Sequence, residues 1–228
     1  MIYRFIKGLQ RLCEKLNLIL IFIIYPSLNF SQVYNIDNGE DISRVILDHE
    51  YVVISKFKSD SGNFISTLGG YYQLNEGVYE VDLEFNSNYD QDSIKSLSIE
   101  KTSKWKNISR ENNTLKGKWV MSGRYINGEF RTRNTALPRK TIKVLIDGFF
   151  QWIAFNTETF KFSGSGGGEY ETLDGKYIEI IQYFSRDNSR VGAELDFNFE
   201  IKNKDWYHTG LSSKGKPINE VWSIRDNK

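Results

Sequence analysis

From about residue 33 onward the chain alternates apolar and polar side chains with a period near two, and the 3.6-residue period of an amphipathic helix is almost absent. In Tyr79-Glu80-Val81-Asp82-Leu83-Glu84-Phe85 the apolar residues fall on one face and three carboxylates on the other, which predicts a half-buried strand. Leu195, Phe197, Phe199 and Ile201 alternate with Asp196, Asn198 and Glu200 in the same way. Tyr51 to Phe57, Thr141 to Ile146, Phe149 to Phe155 and Tyr177 to Phe184 are rich in β-branched and aromatic residues, which fit a pleated, packed surface. Turn signals separate them: Asn75-Glu76-Gly77, Asp174-Gly175, Asn203-Lys204-Asp205 and Lys214-Gly215-Lys216-Pro217. Asp174-Gly175 is the strongest hairpin signal, because this pair accepts the positive φ angles of a tight turn. Many short strands with polar turns predict an all-β sandwich or barrel.

Two blocks of this pattern recur in order. Val45-Ile46-Leu47-Asp48 with Tyr51 to Ile54 matches Val144-Leu145-Ile146-Asp147 with Phe150 to Ile153, and Gly69 to Tyr79 matches Gly167 to Tyr177. We read a duplicated β-module, although two hairpins of similar strand chemistry would give the same likeness. The first copy spans residues 32–113 and the second 114–228, with the polar stretch around Ser109 to Thr114 as the boundary. Copy one has a short end, Ile94 to Ile108, and is expected to be a reduced barrel. Copy two has enough strand candidates for a closed small barrel holding one ligand.

The N-terminus is different. Arg4, Lys7, Arg11 and Lys15 precede an apolar run, Leu16 to Tyr25, followed by Pro26, Ser27 and Ser31, the layout of a secretory signal. The run is shorter than the roughly 20 residues of a membrane-spanning helix. Residues 1–31 are therefore expected to be removed between Ser31 and Gln32, leaving a secreted or periplasmic protein without stable membrane insertion; an uncleaved signal anchor is the alternative. The single cysteine, Cys13, would leave with the signal, so neither a lipid-bearing cysteine nor a disulfide is expected. Lys and Arg (30) balance Asp and Glu (29), so no net field concentrates nucleic acid, and no nucleic-acid partner is expected.

Gly117-Lys118-Trp119 opens copy two with a G-x-W pattern, and Arg225 falls on its last strand. With Phe149-Phe150-Gln151-Trp152-Ile153, Gly166 to Tyr170, Tyr177-Ile178-Glu179, Trp206-Tyr207-His208 and Glu220-Val221-Trp222, the ordered set resembles lipocalin-like (calycin-type) secreted proteins of Bacteroidetes-type bacteria. The resemblance implies an antiparallel β-barrel, an exported location and no established reaction. It also implies that Arg225 lies across Trp119, a cation on an aromatic face sealing the barrel floor. Copy one lacks a G-x-W opening, and Trp119 could instead complete copy one, making one larger barrel.

The candidate ligand-binding residues are Trp152, Tyr170, Glu179, Phe197, Phe199, Trp206 and His208, with Gly117, Trp119 and Arg225 as closure residues. Trp152 and Tyr170 are placed to stack on a ligand, although plain core packing accounts for them too. Glu179 shares a face with Tyr177, Ile181 and Tyr183; a carboxylate there needs a partner, either ligand or an arginine such as Arg186 or Arg225. His208 is a candidate acid or base beside Glu179, or a satisfied rim histidine. Ser163 to Gly168 lacks the lysine and helix of a phosphate loop and reads as a glycine bulge. With one other histidine, His49, a multi-histidine metal site is not expected, nor is a cofactor. The expected function is binding of a small apolar or aromatic molecule. The alternatives are an envelope interaction protein for glycan or protein partners, and an enzyme using Glu179 and His208.

Overall fold

The computed structural model describes residues 31–110 and 114–225, so all of the expected signal except Ser31 lies outside the described residues. The first seven strands are β1 (Gln32–Asp37), β2 (Asp41–Leu47), β3 (Tyr51–Lys58), β4 (Phe64–Asn75), β5 (Val78–Asn86), β6 (Ser96–Glu100) and β7 (Trp105–Asn107). They form one curled antiparallel sheet in the order β6-β5-β4-β3-β2-β1-β7. The next nine are β8 (Gly117–Ile126), β9 (Glu129–Thr132), β10 (Arg139–Ile146), β11 (Phe149–Asn156), β12 (Phe162–Leu173), β13 (Lys176–Phe184), β14 (Glu194–Lys202), β15 (Asp205–Leu211) and β16 (Pro217–Ile224). Here β8 pairs with both β16 and β10, so eight antiparallel strands close into a barrel and β9 remains a hairpin arm outside it. Trp119 faces Ile224 across the closing ladder and joins no strand of the first sheet, which excludes the single larger barrel. Asp174 and Gly175 take φ angles of +49° and +77°, the tight turn their chemistry predicts.

The two sheets repeat the same registers 98 residues apart. Val52 pairs with Gly70 as Phe150 pairs with Gly168, and the next ladders slip at Gly69/Gly70 and Gly167/Gly168. Both bulges demand glycine: a Cβ would stand 2.0 Å from the Asp82 carbonyl oxygen at Gly70 and 1.9 Å from that of Ile180 at Gly168. The second matching block falls in place as read, whereas the first is one residue out. The ladders equate Val45 with Lys143 and Ile46 with Val144. Matching apolar to apolar hid this, because a slip of one moves every side chain of a strand to the other face.

Extended outward, β1 answers β8, β6 answers β14 and β7 answers β16, placing Tyr34 where the barrel has Trp119 and Trp105 where it has Trp222. Among the described residues no strand of the first sheet answers β15. In its place the short link 101–104 joins β6 to β7, and the sheet stays open. Its inner face is filled by side chains instead. Trp105 packs on Tyr34 and Tyr79, and Phe160, from the loop after β11, stacks on Tyr89 at 4.6 Å.

The outer faces of the two modules meet through Val33, Ile46, Tyr51, Val53 and Phe85 on one side and Ile142, Val144, Ile146, Phe149 and Ile153 on the other, all buried. Contacts across this seam exchange partners. Phe57 stacks on Tyr183 at 4.5 Å and Phe155 meets Phe85 at 4.9 Å, while Phe64 stacks on its own counterpart, Phe162, at 6.2 Å. Such exchange is the signature of a two-fold axis, here within one chain. Ser55 donates to the Gln151 side-chain amide oxygen, Oε1, at 2.9 Å in the middle of the seam.

Candidate functional site

The barrel has a closed end. Gly117, at φ +139°, admits a backbone turn that other residues resist, and Trp119 then points into the lumen, its indole N–H donating to the Leu115 carbonyl at 2.8 Å. Leu115 and Tyr170 pack beside it, and the Tyr170 hydroxyl donates to the Thr114 carbonyl at 3.2 Å. Arg225 does not cover Trp119, contrary to the resemblance. Strand alternation puts Trp222 inside and turns residue 225 outward, where its guanidinium donates twice to Glu84 of the first module, at 2.7 and 2.6 Å. The Tyr51 hydroxyl donates to the same carboxylate at 2.9 Å. Leu115 and Tyr170 close the floor beside Trp119 instead.

Above the floor lies a charged centre. Lys143 on β10 and Glu179 on β13 pair at 2.6 Å with side-chain exposures of 6% and 8%. The Tyr177 hydroxyl donates to the same carboxylate at 2.8 Å, and burial together with that negative charge holds the phenol well above its ordinary range. The Lys143 ammonium also stands 5.1–5.6 Å from the ring centres of Tyr177, Trp206, Trp222 and Phe197. An ion-paired oxygen and four aromatic faces are what make a buried lysine tolerable.

His208 on β15 is 1% exposed and packs on Phe197 with ring centres 4.2 Å apart. Neither ring nitrogen has a hydrogen-bond partner. Glu220 Oε2 stands 3.5 Å from Nδ1, at the outer limit of a hydrogen bond, and accepts the Trp222 indole N–H at 3.2 Å. Burial, reinforced by Lys143, lowers the His208 pKa to about 4, so at pH 7 the ring is neutral and offers one donor and one acceptor.

A cavity of about 380 Å³ opens over this centre. Its apolar wall includes Phe150, Trp152, Ile181, Phe184, Phe197 and Trp222, and its polar depth holds Lys143, Glu179, His208 and Glu220. Arg186, Lys214 and Lys216, all exposed, stand at its mouth. The Arg186 guanidinium lies 4.9 Å from the Trp152 ring centre and donates to the Ser163 carbonyl. A wider recess of about 900 Å³ runs along β4 to β6, but exposed side chains such as Glu80, Asp82 and Ser96 wall it, with no buried polar group converging there.

Of the residues singled out in the sequence, Trp152, Glu179, Phe197 and His208 line the barrel cavity. Tyr170 belongs to the floor, Trp206 is wholly buried with its indole N–H unpartnered, and Phe199 packs against the same core without reaching the cavity. The partner of Glu179 is Lys143, not Arg186 or Arg225. Lys143 is hard to single out in the sequence because its strand, Thr141 to Ile146, is apolar on its outer face, and that face masks one polar inner position. Glu220 appears in the sequence only beside Trp222 in the resemblance, and Lys214 and Lys216 only as parts of a turn signal, so nothing marks them as lining a cavity.

Glu179 and His208 share the cavity; the carboxylate is held by Lys143 and Tyr177, and Glu220 Oε2 stands beside the imidazole. Among the described residues no group of three His, Cys, Asp or Glu is placed to hold a metal ion.

No protein-family model and no curated protein matches this chain. The functional reading therefore stands on the barrel's own geometry.

Proposed function

We propose that this chain is an exported lipocalin-like binding protein that holds a small apolar or aromatic molecule in its barrel. One observation carries the reading: the lumen keeps a space of about 380 Å³ over a buried charged centre. Close-packed interiors leave few voids larger than a water molecule, whereas ligand pockets begin at roughly 300 Å³. The G-x-W opening at Gly117 to Trp119 and the basic-then-apolar N-terminal run support the barrel family and the export. The competing reading, an envelope protein that recognises glycan or protein partners, is supported less by a barrel that keeps this space.

Native mass spectrometry of the purified protein tests the proposal. A retained compound is expected, and Trp152→Ala abolishes its retention while the far-ultraviolet circular dichroism stays that of a β-barrel. A folded barrel that takes up no apolar probe would refute the reading.

A further inference from the structure

Resting on the reading of the barrel as a ligand pocket, we propose that its occupant is a small aromatic carboxylate with a hydrogen-bond donor at its far end. The ring system lies against Trp152, Phe184, Phe197 and Trp222, the donor meets the His208–Glu220 pair, and the carboxylate emerges among Arg186, Lys214 and Lys216.

The orientation follows from where charge is left unbalanced. In the depth of the cavity Glu179 and Glu220 bring two negative charges, Lys143 brings one positive charge, and His208 is neutral. A carboxylate pushed inward would meet a net negative charge in a medium of low dielectric constant. The mouth is the reverse: among the described residues none of its three cations has a carboxylate within ion-pair distance. An anionic group is thus repelled from one end and held at the other.

The inner contact follows from Glu220 and His208. Glu220 keeps 20% of its side-chain surface and so presents an accessible acceptor to the cavity, while both nitrogens of the buried His208 ring behind it lack a hydrogen-bond partner. With Glu220 beside it, the pair is richer in acceptors than donors, so a hydroxyl or ring N–H satisfies it better than a carbonyl. Size sets the last limit. The cavity equals the liquid volume of roughly a dozen waters, room for one or two fused rings and a short chain.

The test uses the full chain and three probes in isothermal titration calorimetry: 3-(4-hydroxyphenyl)propionate, its methyl ester and 3-phenylpropionate. The hydroxy acid is expected to bind about tenfold more tightly than either relative, about 1.4 kcal/mol for each group removed. In the Lys214→Ala/Lys216→Ala variant, whose changes lie at exposed positions, the acid-to-ester ratio falls towards one. Equal binding of acid and ester to the unaltered protein overturns the anion at the mouth, and equal binding of the two acids overturns the inner donor, while the pocket stands in both cases. If none of the three binds, and a neutral apolar dye does not bind either, the pocket reading falls with the proposal.

Discussion

Lys143 occupies a position where alternation puts a core side chain, and that placement makes its pairing testable. Glu179→Gln leaves the ammonium buried without its counter-charge and is expected to cost about 3–5 kcal/mol in denaturant unfolding. The double variant Lys143→Met/Glu179→Leu removes both charges and is expected to unfold within about 1 kcal/mol of the parent, or later. A single variant as stable as the parent would show that the pair is solvated after all. His208 makes a second prediction. Its pKa is about 4 in the native state against about 6.5 when unfolded, so between these values the unfolded chain takes up a proton that the native ring refuses. Stability therefore falls as pH drops from about 6.5 to about 4, by about 3 kcal/mol in all, and this contribution levels off below. Lys143, Glu179, Tyr177 and Glu220 face the ring and are all kept in His208→Phe, so a shallower pH slope in that variant isolates the histidine. An unchanged slope from urea midpoints at several pH values would assign the effect elsewhere. At this scale the sequence is only partly informative. Glu179 stands out because it interrupts an apolar face, whereas Lys143, Glu220 and the mouth lysines become a site only once strands far apart in the chain are laid side by side.

Elements were easier to read than residues, for a physical reason. A strand that buries one face must alternate, so Tyr79 to Phe85 and Leu195 to Ile201 display their own structure, and Asp174-Gly175 displays its turn. Register is not displayed in this way, which is why the match of Val45 to Val144 slipped while the glycine-anchored block did not. The twin bulges at Gly70 and Gly168 act as fixed points of that register. Alanine at either position drives a methyl group into a carbonyl oxygen and is expected to cost about 1–3 kcal/mol, read from thermal or urea unfolding. Because Gly168 lies beside the cavity-lining Gly166 and Gly167, Gly168→Ala should also weaken probe binding, whereas Gly70→Ala should lower stability with the cavity intact. The absent counterpart of β15 is an element-scale fact with a functional edge. β15 is the strand that brings Trp206 and His208 to the lumen, so the module without it has an aromatic filling in place of the charged centre.

Across the whole molecule the shared seam decides how the two modules unfold. Ile142, Val144, Ile146, Phe149, Ile153 and Phe155 are at most 2% exposed, yet they sit on the outer wall of the barrel and are covered by the first module. Unfolding is therefore expected as one cooperative transition, with tryptophan fluorescence and far-ultraviolet dichroism coincident in urea. Separate transitions would show that the seam contributes little. The Arg225–Glu84 contact ties the barrel's last residues to the other sheet, and it was hidden in the sequence because 141 positions separate its ends. The partner-exchanging packing also bears on dilution. One module alone would carry both halves of a self-complementary apolar surface, and two free modules would find each other only at sufficient concentration. Tethering them in a single polypeptide makes that encounter intramolecular, so the assembly holds however sparse the protein becomes.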